Sequence, residues 1–303
     1  MSAGGSMGEI IKSLVVNVTI ACAKAVAAVI SGSGAMLAET LHSFADCGNQ
    51  ILLLVGVKSS SKPADFKHPL GYGRAMYFYS FIVALLLFFG GGVFSIHEGV
   101  HKILHPEAVD DIGIALAILL FSLVLEGWST IGNVRAINKR RGPDKGFVRY
   151  LRDTKDSDLI VVFGENSAAV LGLVFAIGAL VLAHQTGDGR WDGAGSLAIG
   201  LVLVGVATFL AGEVKSLLVG ESADASLAKV VDELVEVDPN VEKALRVLTL
   251  QQGPGEIVVA MKLKMRSGMQ TDELVEAINQ FERDLKKRIP EVRWSFIEPD
   301  NAD

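Results

Sequence analysis

His42 and Asp46 stand four residues apart in His42-Ser-Phe-Ala-Asp46, inside an apolar stretch long enough to cross a membrane. Residues at i and i+4 share one face of a helix, so an imidazole and a carboxylate can converge on one ion. Both groups are ligands of divalent metals of the zinc type. An ionisable pair at that depth is expensive to keep, and by default it marks an ion or proton pathway. The pair therefore points to a metal ion moving through a membrane.

The composition supports that setting. The chain has 303 residues, 50% hydrophobic and 20% charged, which is too apolar for an ordinary soluble domain and implies several spans plus a soluble remainder. A net charge of −6 argues against nucleic acid as a partner. Cys22 and Cys47 both lie in apolar segments, where a disulfide framework is not expected. The first residues suggest neither a cleavable signal peptide nor a mitochondrial-type presequence.

Six segments reach the length needed to cross the hydrocarbon layer: 9–31, 35–57, 75–97, 112–136, 158–184 and 193–218. Gly32-Ser33-Gly34 makes the first turn, and Gly187-Asp188-Gly189 opens the link between the fifth and sixth segments. The connection 135–155 carries eight Lys/Arg residues, and 58–74 adds Lys58, Lys62, Lys67 and Arg74. The alternate loops are neutral or acidic, so both termini and the two basic loops are expected on the cytoplasmic side. From about residue 220 the composition becomes that of a small soluble domain. Leu227–Val237 has helical periodicity. Leu245–Gln251 and Ile257–Met265 read as strands around Gly253-Pro254-Gly255. Thr271 is placed to cap a helix reaching about Arg288, and Val292–Ile297 reads as a last strand. The expected fold is an α-helical membrane protein. Six transmembrane helices fill residues 1–219, and a small cytoplasmic α/β domain (α-β-β-α-β, ferredoxin-like) fills 220–303.

Several signatures together resemble the cation diffusion facilitator family of zinc and related divalent-cation/proton antiporters. They are the run from Ser33 to Gln50, His68-Pro-Leu-Gly-Tyr-Gly-Arg74, the Gly220-Glu-Ser-Ala-Asp224 junction and the six-span plan with an α/β tail. The Leu250–Glu256 turn and the segment around Glu165 are most similar to the zinc transporter 9-like branch. The resemblance implies a homodimer, one transport site per protomer between the second and fifth spans, and alternating access coupled to protons. It further implies export of a divalent metal from the cytoplasm, zinc first, with cobalt, cadmium, iron or manganese also open. No enzymatic activity and no bound cofactor follow from it. A bacterial inner membrane is the expected location.

The family pattern completes the site with His/Asp-x-x-x-Asp on the fifth span, and here the chain departs. The mid-span carboxylate there is Glu165, and the positions four residues away are Val161 and Ala169, neither of which can ligate. The resemblance thus carries over to His42, Asp46 and Glu165, with water, Asn49 or Asn166 in a fourth place. A three-ligand site of this kind exchanges metal more readily than a closed one.

Other signals are weaker. His97-Glu-Gly-Val-His101 matches the H-E-x-x-H pattern of zinc hydrolases, which makes a membrane-embedded metallohydrolase the competing reading. Asp65 and His68 have a spacing similar to an auxiliary metal site in some family members, but the third position is Tyr72. Residues 220–303 contain no His and no Cys, so a dinuclear zinc site is not expected there and dimerisation is the tail's expected role. Lys24 and Glu39 are expected to pair between adjacent spans. Glu126 reads equally as a structural hydrogen-bonder or a relay.

Overall fold

A computed structural model of the chain describes residues 3–107, 112–141, 146–154, 156–224 and 226–302. They form two compact units. The first contains Met1–Val57, Phe78–Arg152 and Ser157–Val214; the second contains Lys58–Tyr77, Asp153–Asp156 and Lys215–Asp303.

The first unit is helical: α1 (Ala3–Ser31), α2 (Gly34–Ser60), α3 (Ala75–Leu86), α4 (Phe94–Leu104), α5 (Ile112–Arg140), α6 (Phe147–Asp153), α7 (Ser157–Thr186) and α8 (Arg190–Val219). A π-helical stretch, Leu87–Val93, joins α3 to α4. Among the described residues four helices are long and apolar enough to cross a bilayer: the α3–α4 rod (Ala75–Leu104), α5, the Leu159–Thr186 part of α7, and α8. The protein is therefore a helical membrane protein. Among the described residues α1 offers a shorter apolar stretch, Asn17–Ser31. Helix α2 has the length, but Glu39, His42, Asp46 and Asn49 interrupt its apolar character. The short α6 was not anticipated within the basic connection, whose Lys145 and Lys155 fall outside the described residues.

Small residues set the packing. Ala27, Ala28, Ala35, Ala38, Ala168 and Ala176 are all buried in the core beside Met36, Leu173 and Leu180. Without side chains between them, backbones approach closely enough for van der Waals contact to replace the hydrophobic drive that lipid does not supply. The α4–α8 crossing shows the limit. A Cβ built at Gly200 would lie 2.7 Å from Ile96 N and 2.8 Å from Gly92 O, and one at Gly99 would strike Leu197 N.

The start of α2 is held by residues from two other helices. Asp192 in the first turn of α8 accepts from Gly34 N (2.6 Å), Ala35 N (3.2 Å) and the Ser33 hydroxyl. Lys102 of α4 lies 3.4 Å from Asp192 and donates to Gly32 O. Ser33 Oγ also accepts from Met36 N (3.0 Å), so the free amides at this helix start are answered.

In the second unit, α9 (Ser226–Val237) and α10 (Thr271–Arg288) pack with a sheet of β1 (Val241–Gly253), β2 (Glu256–Met265) and β3 (Val292–Pro299). The sheet order is β1-β2-β3, with β1 and β2 antiparallel and β2 and β3 parallel. Alternate residues Ile257, Val259, Met261, Leu263 and Met265 are buried in one core with Ala277, Phe281 and Leu285, which repeat every four residues along α10. The N-cap of α10 is Gln270, not Thr271; its amide is accepted by Glu273 Oε2 at 3.2 Å. Glu273 three residues beyond the cap, reaching back to the cap amide, decides the boundary. The loop 58–77 belongs to this unit. Gly73 sits backbone to backbone against Gly253, where an added Cβ would lie 2.7 Å from Gly73 Cα. Gly71, at φ +76°, takes a left-handed conformation that suits glycine.

Replacing Gly99 by Val forces α4 and α8 apart. The expected loss is about 1–3 kcal/mol of stability, read as a lower thermal midpoint in detergent than for Gly127→Val, which meets open space.

Candidate transport site

Helix α2 carries a polar stripe. Glu39, His42, Ser43, Asp46 and Asn49 recur at three- and four-residue spacing and so share one side of the helix. Within hydrocarbon each such group needs a partner from another helix.

Two of these needs are met. Lys24 Nζ on α1 donates to Glu39 Oε2 at 3.1 Å and to Ser43 Oγ at 2.8 Å, with both charged side chains buried. The expected pairing of Lys24 with Glu39 is therefore present. Gly172 of α7 leaves room for the other Glu39 oxygen, which an added Cβ would strike. Farther along, Asn49 Nδ2 donates to Glu165 Oε1 of α7 at 2.6 Å.

Between them lies His42, 1% exposed, with its Nδ1 at 3.6 Å from Asp46 Oδ1. That is an ion-pair distance, too long for a hydrogen bond. Both ring nitrogens, Asp46 Oδ1 and Asn49 Oδ1 are buried without a hydrogen-bond partner. Buried polar atoms are nearly always satisfied, so four unpartnered ones within eight residues of α2 are atoms that a cation or water could answer.

The structure thus gathers the three ligand candidates as two pairs, His42 with Asp46 and Glu165 with Asn49. Among the described residues no three His, Cys, Asp or Glu side chains stand close enough to hold one metal ion. Asn166 turns away, donating to Ser129 Oγ of α5 at 3.2 Å. Cys47 is buried, next in sequence to Asp46 but rotated about 100° around the helix.

The remaining motifs are resolved by their surroundings. His97 and His101 lie on the exposed side of α4, where His101 stacks near His105 at 5.2 Å between ring centres. In the second unit, Asp65 Oδ1 accepts from His68 N (2.7 Å) and Lys67 N (2.9 Å), and Oδ2 accepts from the Tyr72 hydroxyl (2.7 Å). His68 stacks on Tyr72 at 4.1 Å and lies 3.5 Å from Asp65. The Tyr72 hydroxyl bond, then the His68 amide, hold the Asp65 carboxyl below its ordinary range, and the same contact raises the Tyr72 phenol. No local signal marks Asp192: Gly32-Ser33-Gly34 reads as a turn, and its partner 158 residues away is set by the fold.

Lys24→Met leaves Glu39 buried without its counter-charge, an expected loss of about 3–5 kcal/mol. The double change Lys24→Met, Glu39→Leu is expected to recover most of it in thermal melts. Tyr72→Phe is expected to move the Asp65 pKa upward, measured by carboxyl NMR titration.

Comparison with known proteins agrees with this geometry. Residues 10–219 match the cation efflux transmembrane domain. The chain is 31% identical over 91% of its length to a Xenopus laevis protein described as the mitochondrial proton-coupled zinc antiporter SLC30A9, and 29% identical to the human protein of that name. It is also 31% identical, over 64% of its length, to metal tolerance protein C4 of Arabidopsis thaliana. The chain spans about half the length of these relatives: 56%, 55% and 43%. The family's members are transporters, not enzymes, and the metallohydrolase reading of His97, Glu98 and His101 gains no support. With two thirds of its length matched and a buried imidazole beside a carboxylate inside the matched region, the chain belongs to the cation efflux, or cation diffusion facilitator, family of metal-ion transporters.

Proposed function

We propose that this protein exports a divalent metal, zinc first, from the cytoplasm in exchange for protons, with His42, Asp46 and Glu165 as ligands and Asn49 beside them. The observation that carries the reading is His42: a buried imidazole with neither nitrogen hydrogen-bonded, next to Asp46, within the matched cation efflux domain. Metal ligands must be deprotonated, so proton and metal compete for the same atoms. Facing neutral cytoplasm the site captures the ion; facing outward, protons displace it and return inward. Bringing Glu165 to the His42–Asp46 pair would take release of the Asn49 bond, so Asn49 orients Glu165 between loads.

The architecture proposed is six spans, with α1 and α2 added to the four apolar ones, in residues 1–219. A ferredoxin-like cytoplasmic domain follows in 220–303. The basic segments 58–74 and 135–155 support cytoplasmic termini, and the membrane we assign is a bacterial inner membrane. We also propose a homodimer. Its support is the side of the C-terminal sheet opposite α10, where Leu248 (53%) and Phe296 (58%) stay exposed beside Arg246, Lys262 and Glu298. Mixed charges around an apolar centre suit a second copy. Asp65 and His68 would serve as an auxiliary cation site only by giving up the Tyr72 bond.

The test is zinc uptake into proteoliposomes carrying an imposed pH gradient. His42→Ala and Asp46→Ala are expected to lower the rate at least tenfold, and collapsing the gradient to lower it severalfold. Full uptake by His42→Ala would sink the site assignment, and indifference to the gradient would sink proton exchange.

A further inference from the structure

The histidines of α4 take no part in the transport ligand set. His97, His101 and His105 follow one another at four-residue steps, so they line one side of the helix, and all three are exposed. The His101 and His105 rings lie 5.2 Å apart between centres, with their planes inclined at 51°. The last turn of α4 holds that spacing, because His105 N donates to His101 O at 2.8 Å. A tetrahedral zinc-type ion bonds imidazole nitrogen at about 2.0–2.1 Å, which puts the centres of two such rings about 5 Å apart. The observed separation is the one that a shared ion requires. Two further features favour a cation there. The free carbonyls of a helix's last turn carry partial negative charge. The lysine of that turn, Lys102, is buried and committed to Gly32 O and Asp192, so it sets no exposed positive charge beside the rings.

We infer that His101 and His105 form a two-imidazole site for a divalent zinc-type ion at the C-terminal end of α4. Imidazole nitrogen selects zinc, cobalt, nickel or copper over calcium and magnesium, which prefer oxygen. Among the described residues no three metal-binding side chains converge, so water completes the shell. Two protein ligands and an open face give fast exchange, unlike the closed four-ligand sites that retain a structural metal. On the topology proposed above, this end of α4 faces away from the cytoplasm, the side to which an exported ion is delivered. The histidines thereby gain a role as surface ligands that meet the ion outside the membrane core.

Binding at this pair does not depend on His42, and one experiment keeps the two sites apart. Zinc bound per chain is measured by equilibrium dialysis of the full chain in detergent, for the parent, His101→Gln, His105→Gln and His184→Gln. The same substitutions are repeated on a His42→Ala, Asp46→Ala background, which lacks two of the proposed transport ligands. His101→Gln and His105→Gln are each expected to lose one zinc per chain on both backgrounds, with the thermal midpoint unchanged. His184, exposed in the last turn of α7 with no histidine four residues away, is the control, and His184→Gln is expected to lose none. Loss in only one of the two α4 variants, or in neither, overturns the inference, since the rings then merely stack. Equal loss in His184→Gln overturns it too, because any surface imidazole would then serve. One zinc lost through each α4 substitution, with none lost through His42→Ala and Asp46→Ala themselves, upholds this site and tells against the transport ligands.

Discussion

A helix that carries a buried polar stripe through hydrocarbon must have every one of its groups answered by a neighbour, and the membrane unit is arranged around that requirement on α2. An unanswered hydroxyl or amide costs a few kcal/mol away from water, and a lone charge far more. Glu39 and Ser43 are answered by Lys24, and Asn49 is answered by Glu165. One oxygen each of Glu39 and Asn49 also stays unpartnered, but His42 stands out as a buried ring with neither nitrogen hydrogen-bonded, beside Asp46 Oδ1, which is likewise unanswered. A transporter needs such an exception, because a site fully satisfied by protein would have no use for a cargo ion.

The rest of the unit keeps that stripe in phase. Rotating α2 by a fraction of a turn would aim His42 at lipid and Lys24 at nothing. Asp192 prevents this by taking the first amides of α2, and Lys102 ties the same carboxylate to α4. Small residues then let the helices close: Gly172 accommodates Glu39, and Gly99, Gly193 and Gly200 let α4 meet α8 through backbone atoms. Beside them, among α1, α2 and α5, lies a narrow pocket lined by Asn17, Ile20, Ser43, Asp46 and Glu126.

The second unit follows different physics. Its core is apolar and built from period-two and period-four patterns, with α10 laying Ala277, Phe281 and Leu285 over the buried alternate residues of β2. The loop 58–77 belongs to it through the Gly73–Gly253 contact, although its motif, His68 to Arg74, lies between two helices of the membrane unit in sequence. Asp65 uses both oxygens to shape that loop. The motif residues here therefore serve the local fold, whatever further role the auxiliary pair takes.

Much of this protein was readable along the chain because the signals are local. Apolar length marks α3–α4, α5, α7 and α8, since crossing hydrocarbon demands about twenty apolar residues in a row. Period-two alternation and Gly253-Pro-Gly marked the hairpin, and the i, i+4 spacing placed His42 and Asp46 on one side of α2. Charges that answer one another across helices were legible only where both lay in apolar segments, as with Lys24 and Glu39. What tertiary structure alone decided was which distant groups meet: Asp192 with the start of α2, Asn49 with Glu165, and Glu126 with Asp46 around one pocket. Sequence spacing fixes the angle between residues on one helix, but the meeting of two helices depends on how their whole surfaces fit, and no local pattern records that.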